Sequence, residues 1–90
     1  MPNYMVERDL PGFGPDQLRS AAARAKSTAG VMTGEGTPVR YLRSTFIPGE
    51  DKCYCLFEAG SEAAVREANI RASLPMLRVL EVALVSAEEV

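Results

Sequence analysis

The chain predicts an α+β domain: an antiparallel four-stranded sheet with two helices on one face. Three observations carry this. β-Branched and aromatic runs alternate with alanine-rich stretches of helical spacing, in the order strand, helix, strand, strand, helix, strand. Clusters of proline and glycine separate them. Two of the strands are apolar on both faces, as a sheet between two covering layers would be. This order is the ferredoxin-like βαββαβ pattern, whose right-handed crossovers place both helices on the same side.

Each element has a local reason. Pro2 to Arg8 holds Tyr4, Met5 and Val6 and ends at LPGFGP, which predicts strand one. Pro15-Asp16 opens a helix, because proline suits the first turn and aspartate the positive end of the helix dipole. Leu18, Ala22, Ala25, Ala29 and Met32 form its apolar stripe, and TGEGTP (residues 33–38) ends it. Val39 to Ile47 is strand two, PGED a turn, and Lys52 to Ala59 strand three, so these two form a hairpin. Ser61 caps a second helix over SEAAVREANIRAS, with Ala64, Val65, Ala68 and Ala72 facing inward and Pro75 as its stop. Leu77 to Ser86 is the last strand, and AEEV a solvated tail.

Composition bounds the function. The chain is 47% hydrophobic and 24% charged with a net charge of −2, which is globular and gives no reason to expect nucleic acid or acidic membranes as partners. Residues 1–90 make one domain, marginal in size without a partner or a metal. The N-terminus lacks a basic-then-apolar leader and no apolar run approaches the ~20 residues of a membrane span. A cytoplasmic protein with reduced cysteines is the expectation. Gly12-Phe13-Gly14 and Gly34-Glu35-Gly36 lack the strand-to-helix setting of a phosphate loop. With no histidine in the chain, neither a Ser-His nor a Cys-His dyad can form.

Strand alternation predicts the oligomer. Leu80, Val82 and Leu84 share one face of the last strand, and Leu77, Val79, Ala83 and Val85 the other; in strand three, Cys53, Cys55 and Phe57 oppose Tyr54 and Leu56. Two helices cover only one face, so a second copy packed sheet to sheet is expected to cover the other, as in dimeric α/β-barrels.

Cys53 and Cys55 stand on the same strand face, roughly 6.5–7 Å apart along the chain. A disulfide between such positions is disfavoured, and two thiolates alone leave a closed metal site incomplete. Plain core packing is the competing account. Glu7, Arg8, Arg43, Ser44, Tyr54 and Glu58 are polar residues on strands. They fit either interfacial ion pairs, such as Arg43 with Glu58 or Glu81, or a small pocket of carboxylates, a serine and a thiol.

The stretches YMVERDLPG, VRYLRSTF, DKCYCLFEAGSEAAVREA and RASLPMLRVLEV resemble a family of small bacterial ferredoxin-like proteins, one member of which is a nickel-binding homodimer. The match runs in order from Pro2 to about Val82. Its most specific pieces are Glu7-Arg8, Ser44, Asp51-Lys52, Cys55 and Glu58-Ala59. The resemblance implies a homodimer handling nickel or another divalent transition metal. Two departures bear on that. The family's W-x-H-S pattern is here Tyr41-Leu42-Arg43-Ser44, and a second common histidine, in the second helix, is here Ala68. Arginine is permanently protonated and cannot replace imidazole as a ligand, so nickel binding through histidine is excluded. A metal would be left to Cys55 with Glu7, Glu58 or the N-terminal amine, and an altered or lost site is the expectation. The alternative is a small-molecule binding module or cofactor-independent enzyme, with Arg43 on an anionic or enolised ligand and Glu7 or Glu58 as base.

Overall fold

Helix stops written into the sequence place the elements of the fold. A computed structural model describes residues 1–90. It contains β1 (Asn3–Asp9), α1 (Pro15–Gly34), β2 (Val39–Ile47), β3 (Lys52–Ala59), α2 (Glu62–Arg71) and β4 (Arg78–Val82), then a single 3₁₀ turn at Ala87–Glu89. The sheet order is β2-β3-β1-β4 and every pairing is antiparallel. This is the expected ferredoxin-like arrangement. No helix is long and apolar enough to cross a membrane.

At the start of α1, Pro15 occupies the first turn and the Gln17 side chain accepts the Gly14 N–H at 2.8 Å. At its end Gly36 adopts φ +101°, and Thr37 N–H donates to Met32 O at 2.9 Å. That is the left-handed stop glycine permits without steric cost. Ala21, Ala25, Ala29 and Met32 are the buried positions. Ala22, expected in the stripe, is only half-buried, and Ala21 takes its place.

Ser61 caps α2 as expected, accepting Ala64 N–H at 3.2 Å. Replacing Ser61 with alanine should cost about 1 kcal/mol, measurable as a lower urea midpoint with an unchanged slope. The stop differs from the expectation. Pro75 does not itself end the helix; Ser73 does, at φ +56°, with Ser73 N–H donating to Ile70 O and Leu74 N–H to Asn69 O, both at 3.0 Å. This turn sets the direction in which the Pro75 carbonyl points.

The core lies between the sheet and the helices, with Val6, Met32, Phe57 and Val65 at 0% exposure. Between Tyr41 and Arg43 β2 carries a bulge, so Tyr41 pairs with Phe57, Arg43 with Leu56 and Ser44 with Cys55. Strand parity changes there. β4 ends at Val82 rather than Ser86, because Val82 already pairs with Asn3, the first residue of β1. Residues 83–86 and Glu89 instead line a cleft of about 730 Å³ with Leu42, Arg43 and Leu56 on the side away from the helices. Leu56 is 4% exposed although it faces that side. The open face is also more polar than simple alternation suggests: Met5, Leu80 and Val82 share it with Glu7, Lys52, Glu58 and Arg78.

Candidate functional site

Adjacent strand residues point to opposite faces, and this divides the candidate residues into two groups. Glu7, Tyr54, Glu58 and Arg43 lie on the open face. Arg8, Ser44 and Cys55 point toward the helices.

The open-face group is an array of cross-strand ion pairs. Glu7 accepts a hydrogen bond from Arg78 Nε and lies 3.3 Å from Lys52 Nζ, which also reaches Asp9 at 3.0 Å. The bond from Arg78, then that from Lys52, hold the Glu7 carboxyl below its usual range despite desolvation. Glu58 pairs with Arg40 at 3.8 Å. The pairing of Arg43 with Glu58 or Glu81 is therefore replaced by Arg40–Glu58, and Glu81, opposite Tyr4, lies on the other face. Arg43 is exposed on the wall of the cleft and belongs to no ion pair. Tyr54 is half-buried beside this array.

The helix-side group is a connected polar cluster that runs from the exposed Ser44 and half-buried Tyr41 to the buried Cys55, Cys53 and Arg8. The Tyr41 hydroxyl lies 2.7 Å from Ser44 Oγ, Ser44 Oγ 3.0 Å from Cys55 Sγ, and Cys55 Sγ 3.7 Å from Cys53 Sγ. Both cysteines are free and buried. Arg8, whose cross-strand partner is Cys53, is 1% exposed and donates through Nη1 to Pro75 O at 3.0 Å. Its Nη2 has no hydrogen-bond partner. The α2 stop at Ser73 and the β1 strand thus converge on one guanidinium.

The bulge assembles the rest. Tyr41 and Ser44 are three apart, so a regular strand would put them on opposite faces. The extra residue brings both to the helix side, where Tyr41 also packs edge-on against Phe57 with ring centroids 5.6 Å apart.

Electrostatics separates the two thiols. A hydrogen bond from Cys53, the Arg8 charge and a bond from Ser44 together outweigh burial and lower the Cys55 thiol to about 6. The same bond and burial raise Cys53, which keeps its proton. Burial raises Tyr41, so it stays a neutral donor. Either atom of each contact can donate; a Cys55 thiolate would accept from both Ser44 and Cys53.

Sequence reasoning singled out Arg8, Ser44 and Cys55 but missed Tyr41, which becomes legible only through the bulge. It also missed Asn69, 1% exposed on α2, whose amide donates to Val65 O at 2.8 Å while its Oδ1 has no partner.

The family model for nickel-responsive SCO4226-like proteins matches residues 4–82. The chain belongs to the SCO4226-like family. The crystal structure of SCO4226 from Streptomyces coelicolor A3(2) superposes with a TM-score of 0.76 at 24% identity, covering 93% of this chain and 99% of that one. At that identity the likeness shows a shared fold. No curated protein matches the chain.

The donor set of this SCO4226-like chain does not fit nickel within one protomer. Cys55 faces the helices, whereas Glu7 and Glu58 face away from them and are already engaged by cations. No three groups among histidine, cysteine, aspartate and glutamate converge. The Arg8 guanidinium beside Cys55 also repels a cation.

Proposed function

We propose that this chain is a homodimeric member of the nickel-responsive family in which the metal site is altered, with nickel binding lost from the single protomer. The observation that carries the reading is the split of Cys55 from Glu7 and Glu58 onto opposite faces of the sheet. Closed transition-metal sites need four ligands, and here the histidines that would supply nitrogen donors are absent.

Leu80 and Leu84, 39% and 41% exposed, support the dimer, together with Met5 and Val82 on the same open face. A second copy on this face would bury them around the ion-paired array. Sedimentation should therefore give the mass of two chains, and Leu80→Arg should give one.

Thermal unfolding of metal-stripped protein titrated with nickel, zinc and copper tests the altered site. A ligand bound only by the folded state at a hundred times its Kd adds about 2.7 kcal/mol, which no scan would miss. The midpoint should stay unchanged with nickel. A concentration-dependent rise that disappears in Cys55→Ser would overturn the reading and return the thiol to a metal role.

Arg43 favours a second reading. It opens without an ion partner onto the cleft, where a small carboxylate could dock. Glu7 and Glu58, the candidate bases, are held by cations, so this reading is one of binding alone.

A further inference from the structure

We propose that Cys55 is a peroxide-reactive thiolate, with Arg8 as its buried counter-ion, Cys53 as its proton-retaining neighbour and the Tyr41–Ser44 pair as its opening to solvent. This inference is independent of the metal reading.

The argument starts from Arg8. A guanidinium removed from water needs a counter-ion or a full set of acceptors. Arg8 is 1% exposed, its single acceptor is the neutral Pro75 carbonyl, and Nη2 has none. It takes part in no ion pair with a carboxylate, although Glu7 precedes it and Asp9 follows it, because both of these point away from the helices. The ionisable groups around it on its own face are the two thiols and Tyr41. Of these only Cys55 lies within hydrogen-bonding distance of two possible donors, Ser44 at 3.0 Å and Cys53 at 3.7 Å. The negative charge that Arg8 requires therefore resides on Cys55.

A core thiolate acts only if a reactant can reach it. Ser44 is exposed, and its hydroxyl touches the Cys55 sulfur directly. Cys55 itself is 5% exposed, so the passage suits a small neutral molecule rather than a protein thiol. Hydrogen peroxide fits that description. The Cys55 sulfur would attack one peroxide oxygen and form an S–O bond as the O–O bond breaks. The transferred oxygen keeps its hydrogen, so sulfur is oxidised to the sulfenic acid and the peroxide reduced. The departing oxygen leaves as hydroxide, which the proton released to solvent when the thiol ionised converts to water. The unused Nη2–H of Arg8 is the donor available to negative charge on that oxygen. Cys53 does not complete a disulfide readily, since a bridge between alternate residues of a strand needs backbone movement. The sulfenic acid would persist, or condense with a small external thiol with loss of water.

The test compares each cysteine in the folded chain with the same cysteine in urea. Reduced protein, folded or in urea, is exposed to hydrogen peroxide at pH 7 for a set time, and the peroxide is removed with catalase. Both samples are then brought into urea with dimedone, so that every sulfenic acid is trapped and mapped by peptide mass spectrometry. Native Cys55 should be labelled roughly tenfold faster than in the denatured chain, native Cys53 more slowly. Arg8→Met should slow Cys55 labelling on the order of tenfold, and Arg8→Lys should retain most of it. Should Arg8→Met not fold, the native-to-denatured ratio of the wild type decides alone. Native labelling of Cys55 slower than in urea would show a plain core thiol and overturn the proposal, as would preferential labelling of Cys53.

Discussion

Arg8→Met should destabilise the domain by on the order of 3 kcal/mol, a large share of the about 5–15 kcal/mol typical of a whole domain. Methionine keeps most of the apolar stem, so the loss comes from the head group. The Pro75 carbonyl is left without its donor, worth about 1–3 kcal/mol when buried. The Cys55 thiolate also loses its counter-ion and must take up a proton. This second part makes the prediction specific. In a double-mutant cycle with Cys55→Ala, the two changes should cost at least about 1 kcal/mol less together than the sum of each alone. Chemical unfolding at pH 8 measures all four corners. Additivity within about 0.5 kcal/mol would mean that Arg8 only holds the loop after α2 and does not share charge with the thiol.

The element order was legible because each boundary has a local cause: Pro15 and Gly36 around α1, Ser61 before α2, the turn at residues 48–51. The family was legible for a related reason, since its short pieces keep their order along the chain. Other features depend on partners distant in sequence. Strand β4 stops where β1 runs out of residues to pair with it, which nothing in LEVALVS reveals. Its former continuation lies along the open face and gives Leu56 a cover that alternation assigns to a second copy. The site was half legible. Alternation correctly separates Glu7 from Arg8, but the bulge at Leu42 is what unites Tyr41 with Ser44. A one-residue insertion of this kind flips every side chain beyond it and leaves no mark in composition. Arg8 illustrates the limit from the other side. As a polar residue at a strand end it stands out as a pocket or interface candidate, and only the geometry shows it enclosed with two thiols and a carbonyl.

Stability should depend on pH between 6 and 9 in a way that isolates the cysteine pair. Folded Cys55 is lowered from 9.0 to about 6, while folded Cys53 is raised above its ordinary value. Below pH 6 both thiols are protonated whether the chain is folded or not, so the pair contributes no pH dependence. From there toward pH 8.5 the folded pair releases one proton before the unfolded cysteines release as much; the unfolded state binds more protons, and stability rises with pH until the two are equal. Its slope approaches about 1.4 kcal/mol per pH unit for one proton. Above that range the unfolded chain releases two protons against one in the folded pair, so the slope reverses and stability falls. A maximum near pH 8.5 follows, on the order of 2 kcal/mol above the value at pH 6. The window is a clean one because the chain has no histidine, the side chain that ordinarily titrates there. Urea unfolding at half-unit steps from pH 5.5 to 9.5 would trace the curve. Cys55→Ser should flatten its rising limb, whereas Arg8→Lys, which keeps the positive charge, should preserve it. A wild-type curve already flat from pH 6 to 8.5 would mean that Cys55 stays protonated and that the buried guanidinium has no anion beside it.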